Sequence, residues 1–64
     1  MNLSKAIITK RKQSKLPQRV FGLGPNNMSR IENGQVEPTI TSLIKICEVL
    51  GCKVSELINL AETL

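Results

Sequence analysis

Apolar residues along the chain recur at helical spacing, in short segments that three prolines and four glycines separate. No stretch alternates apolar and polar residues over the length of a strand. This pattern predicts an all-α fold built from five short helices. The length of 64 residues predicts that positions 1–64 form one domain.

The first three predicted helices occupy the N-terminal half of the chain. In order, they run from Leu3 to about Lys15, from Pro17 to about Phe21, and from Pro25 to Glu32. Asn2 or Ser4 can cap the first helix, and the fixed φ of proline suits the start of the other two. Asn33 and Gly34 are expected to end the third helix, because glycine readily takes the left-handed conformation of a helix cap.

The fourth and fifth predicted helices are the most apolar. The fourth follows the N-cap Thr39 and ends at Gly51, and it is expected to be buried on most sides. Its apolar residues are Ile40, Leu43, Ile44, Ile46, Cys47, Val49 and Leu50. The fifth runs from Val54 to about Glu62, and its inward stripe is Val54, Leu57, Ile58 and Ala61. Leu60 and Leu64 extend the apolar surface to a second side, which indicates either a partner helix or a frayed C-terminus.

The composition argues against catalysis. The chain has no histidine and no aspartate, so it lacks the usual general bases, and its five glutamates form no pattern suited to acid–base work. Two cysteines provide only half of a zinc site. We therefore expect a binding module rather than an enzyme, with no metal, no cofactor and no small-molecule substrate.

Charge is divided unevenly along the chain. Residues 1–30 contain seven basic side chains and no acid, whereas residues 31–64 contain two lysines and five glutamates. Such a basic half indicates a polyanionic partner, and the alternative is a solvated basic surface that keeps the protein in solution. No signal peptide or membrane-spanning segment is apparent, so a cytoplasmic protein with reduced thiols is expected.

One segment of the sequence resembles a known family. Residues 29–35 (SRIENGQ), followed by Glu37, Pro38 and Thr39, are similar to the end of the recognition helix in Cro/C1-type helix-turn-helix proteins, also called the XRE family. The similarity continues from Ile40 to Ile58, and residues 11–18 (RKQSKLPQ) resemble the stretch between the family's first two helices. The resemblance implies a compact five-helix, lambda-repressor-like domain in which helices two and three form the helix-turn-helix.

The sequence departs from the family between Phe21 and Pro25, where about four residues are missing. Four residues correspond to one helical turn, or about 6 Å along a helix axis. We therefore expect the second helix to be a turn shorter or to be replaced by a loop, and this change affects the position of the recognition helix.

The resemblance also implies roles for individual residues. The residues expected to contact DNA bases are Asn26, Asn27 and Arg30, because asparagine can pair with adenine and arginine with guanine. Alternatively, the two asparagines are simply turn residues. The residues expected to contact DNA phosphates are Lys12, Gln18, Ser29, Asn33, Gly34 and Gln35. Arg11 and Glu32 are expected to form a structural ion pair. Apart from the resemblance, the second apolar side of the fifth helix predicts a dimer interface at Leu57, Leu60, Ala61 and Leu64.

The sequence thus predicts a DNA-binding transcriptional regulator, more specifically a repressor, that binds palindromic operator DNA as a homodimer through the major groove. The alternative is a protein-interaction module or antitoxin-like protein that retains the fold but reads DNA weakly. The residues missing after Phe21 favour this second interpretation.

Overall fold

The computed structural model describes all 64 residues and contains four α-helices, one 3-10 turn and no strand. The elements are α1 (Leu3–Gln13), the 3-10 turn (Gln18–Phe21), α2 (Asn27–Glu32), α3 (Ile40–Leu50) and α4 (Val54–Thr63). The all-α prediction is confirmed. None of the helices, the longest of which have 11 residues, is long and apolar enough to cross a membrane.

The prediction of five helices is wrong, because the second predicted helix forms only a 3-10 turn. Only four residues lie between Pro17 and Gly22. Gly22 has a φ of 68°, which lies outside the range of a right-handed helix and ends the element there. The expectation that the missing residues shorten this element is confirmed. Phe21 at the end of the turn is nevertheless buried, so the core closes over the shortened element.

Three of the predicted helix starts, those of α1, α3 and α4, are present in the structure, and two of them have the predicted side-chain caps. The Asn2 Oδ1 atom accepts a hydrogen bond of 3.0 Å from the Lys5 N–H and caps α1. The Thr39 Oγ1 atom accepts one of 3.1 Å from the Ser42 N–H and caps α3. These short-range bonds satisfy N–H groups that have no partner within the first turn of a helix.

Other predicted boundaries require correction. Helix α1 ends at Gln13 rather than near Lys15, which has a φ of 56° and therefore lies outside the right-handed helical region. Helix α2 begins at Asn27, two residues after Pro25, and Pro25 lies in the preceding turn. Helix α2 is consequently only six residues, or about 9 Å, long.

Helices α1 and α4 form the centre of the core. Ala6 and Ile7 of α1 and Leu57 and Ala61 of α4 have no exposed surface, and the Asn2 N–H donates to the Ala61 carbonyl oxygen at 2.9 Å. Because Leu57 and Ala61 are wholly occupied within one chain, their assignment to a dimer interface is wrong. Only Leu60, which is partly buried, and Leu64, which is 43% exposed, remain from that prediction.

Helix α3 is buried on one side only, contrary to the sequence prediction. Leu43, Ile46 and Cys47 lie in the core, whereas Ile40 is 72% and Ile44 is 44% exposed. A chain of 64 residues buries only a limited share of its surface, so too few elements are present to cover every side of α3. An apolar composition alone therefore overstated how much of α3 could be covered.

Candidate nucleic-acid interface

Helix α2 has one buried side and one exposed side. Met28, Ile31 and Glu32 are buried, at the i, i+3, i+4 spacing of a single helical face. Asn27 and Arg30 belong to the exposed class. The apolar pair thus anchors the helix in the core, and polar side chains are displayed on its outside.

An ion pair connects α1 to the buried side of α2. The Arg11 Nε atom donates to Glu32 Oε2 at 2.5 Å, and Nη2 donates to Oε1 at 3.0 Å. The two side chains are only 15% and 5% exposed. The structure therefore contains the pair that the family resemblance implies, in the two-pronged geometry that arginine makes with carboxylates.

Two further hydrogen bonds extend this pair to the region around the 3-10 turn. The Arg11 Nη1 atom donates to the Leu16 carbonyl oxygen at 3.0 Å, and the Gln18 Nε2 atom donates to Glu32 Oε1 at 2.9 Å. No buried side-chain nitrogen or oxygen lacks a partner. The Glu32 carboxylate therefore fixes α1, the 3-10 turn and α2 relative to one another.

Gln18 has a contact that the sequence did not reveal. Its amide nitrogen is directed to Glu32, whereas the family resemblance assigned the side chain to a phosphate. A primary amide has two N–H donors and one carbonyl acceptor, so one donor remains after this bond. Gln18 is exposed and can use that donor outward while Glu32 holds the amide in place.

The three residues assigned to DNA bases differ in their surroundings. Asn26 and Arg30 are exposed, and their side chains make no hydrogen bond within the chain. Asn27 is also exposed, but its Nδ2 atom donates to the Leu23 carbonyl oxygen at 2.6 Å. Asn27 therefore stabilises the loop before α2, as the turn interpretation of this residue expects.

An open groove lies between the 3-10 turn and the start of α2. It has a volume of about 320 Å³ and is lined by Gln18, Arg19, Gly24, Pro25 and Met28. Arg19 is exposed and has no acidic partner, so it places positive charge at this edge. The sequence had marked Arg19 only as part of a general basic surface, because nothing in the sequence placed it beside α2.

The turn after α2 uses its backbone N–H groups internally. Gly34 has a φ of 75°, as expected for a glycine that ends a helix, and its N–H donates to the Ile31 carbonyl oxygen at 3.1 Å. The Gln35 N–H donates to the Arg30 carbonyl oxygen at 3.0 Å. Since Gly34 has no other donor, the structure does not support its assignment as a phosphate contact. Asn33 and Gln35 retain exposed amide side chains.

The positive charge of the N-terminal half is largely uncompensated. Of the seven basic side chains in residues 1–30, only Arg11 has an acidic partner, Glu32. The six others are Lys5, Lys10, Lys12, Lys15, Arg19 and Arg30. Four glutamates, none within hydrogen-bonding range of a lysine or arginine side chain, remain in the C-terminal half. The charge therefore favours an anionic partner for the N-terminal half of the chain.

Comparison with known proteins assigns this arrangement to a family. A family model for Cro/C1-type helix-turn-helix DNA-binding domains matches residues 2–62. No curated protein and no solved structure matches the chain significantly. No group of three or more cysteine or carboxylate side chains is placed to hold a metal ion.

Proposed function

Because the chain belongs to the family of Cro/C1-type helix-turn-helix DNA-binding domains, we propose that it is a transcriptional regulator that binds specific sequences of double-stranded DNA. The observation that carries this proposal is the orientation of α2. Its inner side is fixed through Glu32 to α1 and the 3-10 turn, and its outer side displays Arg30, whose backbone N–H donates to the carbonyl oxygen of the exposed Asn26 at the helix start. A rigid support with free hydrogen-bonding side chains on its exterior suits the reading of base edges in the major groove.

We assign the principal base contacts to Asn26 and Arg30. Arginine pairs with the O6 and N7 atoms of guanine, and asparagine pairs with N6 and N7 of adenine. Both side chains are free to do so, since neither is hydrogen-bonded within the chain. Asn27 contributes less in this proposal, because its bond to the Leu23 carbonyl oxygen restricts its orientation.

We assign the DNA phosphates to exposed or partly exposed polar residues around α2. They are Lys12, Gln18, Ser29, Asn33 and Gln35. Arg19, at the edge of the groove between the 3-10 turn and α2, joins this set. Phosphate contacts of this kind fix the register of a protein on DNA, supply most of its non-specific affinity and make that affinity sensitive to salt.

We further propose that the protein acts as a homodimer on a palindromic operator. Two copies related by a two-fold axis would place their α2 helices in successive major grooves, about 34 Å apart. The exposed end of α4, with Leu60 and Leu64, is the apolar surface we assign to the contact. A dimer that covers promoter DNA prevents access by polymerase, so we propose repression rather than activation.

Replacing Leu64 by serine is expected to weaken self-association at least about 10-fold, because a leucine buried at an interface contributes about 1.5–3 kcal/mol. Analytical ultracentrifugation across a concentration series measures this effect. Ile40→Ser is the matched control, since Ile40 is an exposed apolar residue on α3. Dissociation caused by Ile40→Ser but not by Leu64→Ser would move the interface to α3, and a protein that is monomeric at every concentration would exclude the homodimer.

Selection from a random duplex library tests the proposed function directly. We expect a palindromic consensus, bound at least about 10³-fold more tightly than a scrambled duplex at physiological salt. Fluorescence anisotropy over a salt series measures both affinities and separates the specific from the electrostatic contribution. Recovery of no consensus by a protein whose circular dichroism shows folded helices would count decisively against sequence-specific DNA binding.

The shortened element before α2 favours a second candidate, a protein-interaction module. Only a 3-10 turn and a five-residue loop separate Pro17 from α2, and Asn27 is bonded within that loop. A partner protein, such as the toxin of an antitoxin-like pair, would then occupy the exposed surfaces of α3 and α4. Affinity purification from the native cell, performed with and without nuclease, distinguishes this candidate from the first.

A further inference from the structure

Both cysteines lie at the turn between α3 and α4. Cys47 is in the last turn of α3 and is buried, and Cys52 follows Gly51 and is partly buried. Gly51 has a φ of 72°, so the chain reverses there, and the Cys52 N–H donates to the Cys47 carbonyl oxygen at 3.1 Å. This bond holds the backbones of the two cysteines next to each other.

The two side chains also lie in the same part of the core. Cys47 belongs to the buried core cluster, and Cys52 packs against that cluster. Burial, together with the neighbouring Cys52 and Glu56, raises the pKa of Cys47 to about 11. Cys47 is therefore protonated at neutral pH, and the more accessible Cys52 is the thiol that meets a reagent from solution.

We propose that Cys47 and Cys52 form a reversible oxidation site, at which a low-molecular-weight disulfide such as oxidised glutathione converts the two thiols into an intramolecular disulfide. The Cys52 sulfur first displaces one glutathione thiolate and forms a mixed disulfide, losing its proton to solvent. The Cys47 sulfur then attacks the Cys52 sulfur, also losing its proton, and releases the second glutathione. The two protein thiols are oxidised, and one glutathione disulfide is reduced to two thiols.

The surrounding structure favours the disulfide over the mixed disulfide. A disulfide requires two Cα atoms within about 7 Å of each other, which the hydrogen bond between the two cysteine backbones already promotes. The same backbone bond holds Cys47 close to the residue whose sulfur it must attack. The link would preserve the orientation of α3 relative to α4, so oxidation is expected to stabilise the folded state. The inference is independent of DNA binding, because neither cysteine lies on the exposed side of α2.

Equilibration of the full chain in glutathione redox buffers tests the proposal. Acid quenching, alkylation of the remaining thiols and mass spectrometry measure the ratio of the disulfide to the dithiol. The same measurement in concentrated urea gives the reference value for the unfolded chain, in which the two cysteines are close only because five positions separate them in the sequence. We expect the disulfide to be favoured at least about 10-fold more in the folded protein than in urea, with a thermal midpoint raised by about 5 °C or more on oxidation.

Two variants identify the order of the reaction. Cys47→Ala is expected to accumulate the mixed disulfide at Cys52, and Cys52→Ala is expected to react with glutathione at least about 10-fold more slowly, because Cys47 is buried. Circular dichroism verifies that each variant is folded. The proposal is overturned if the folded chain favours the disulfide no more than the urea-unfolded chain, or if mixed or intermolecular disulfides are the main products.

Discussion

Replacing Arg11 by alanine is expected to lower the free energy of unfolding by about 3–5 kcal/mol, because the change leaves the Glu32 carboxylate buried without its cation. Glu32 is 5% exposed and would keep only the Gln18 amide as a partner. The total stability of a chain of this length is about 3–10 kcal/mol. The substitution therefore removes a large part of the stability of the fold.

Thermal and urea unfolding followed by circular dichroism measure this loss. We expect the thermal midpoint to fall by about 12 °C or more, since 1 kcal/mol corresponds to about 4–8 °C in a domain of this size. Lys12→Ala is the matched control, because Lys12 neighbours Arg11 in α1 but is exposed and has no acidic partner. That control is expected to change the stability by no more than about 0.5 kcal/mol. A loss of only a few tenths for Arg11→Ala would show that the pair does not support the fold.

A paired replacement separates the cost of an uncompensated charge from the net contribution of the ion pair. Arg11→Met combined with Glu32→Met removes both charges and retains much of the buried volume. We expect the double variant to be more stable than Arg11→Ala, because buried ion pairs are often replaced by apolar residues at little cost. If the double variant is instead as unstable as Arg11→Ala, the hydrogen bonds to Leu16 and Gln18 contribute more than the charges do.

Replacing Arg30 by alanine is expected to weaken binding to the selected operator about 10- to 100-fold, the equivalent of about 1–3 kcal/mol. Arg30 is exposed and unpaired, so the loss should leave the thermal midpoint nearly unchanged. Repeating the duplex selection with the variant is expected to yield a consensus relaxed at one position of each half-site, since base contacts carry the sequence preference. Anisotropy titration with the original duplex measures the change in affinity.

Two lysine variants separate base reading from general electrostatic attraction. Lys12→Ala is expected to weaken binding to all duplexes about equally and to reduce the slope of the logarithm of affinity against the logarithm of salt concentration by about 1 for each copy bound. Lys45→Ala, on the exposed side of α3, is expected to change neither affinity nor slope. If Arg30→Ala behaves like Lys12→Ala, Arg30 contacts a phosphate. If Arg30→Ala changes the affinity for neither the selected operator nor the scrambled duplex, α2 is not the element that reads DNA.

Local features of the fold were predictable because they depend on neighbouring residues. Thr39 caps α3 and Gly34 follows α2 as expected, since both involve the conformation of one residue and bonds within a few positions. The short element after Pro17 was also predictable from the missing residues. The Arg11–Glu32 pair joins residues far apart in the sequence, and only the family resemblance, rather than any local pattern, indicated it.

Other features depended on which surfaces meet, and a one-dimensional pattern could not predict them. The spacing of Leu57 and Ala61 indicates an apolar stripe, but it does not distinguish a core from a dimer interface, and within one chain both residues have no exposed surface. Similarly, Gln18 and Asn27 have exposed positions, yet their amides are bonded to Glu32 and to the Leu23 carbonyl oxygen. Amides satisfy whichever donors and acceptors lie within reach, so their partners follow from packing.

The sequence by itself indicated the family, through its similarity to Cro/C1-type domains. It also determined the helical class, most helix ends and the basic N-terminal half. Those properties follow from backbone preferences and charge, which each residue carries wherever it is placed. Only the tertiary structure decided that Glu32 joins three elements, that Arg30 and Asn26 are free on the outer side of α2, and that Ile40 is uncovered. These outcomes depend on contacts between distant segments. A small chain cannot cover all of its apolar surface, and the packing of its helices decides which apolar residues are buried and which polar groups form hydrogen bonds.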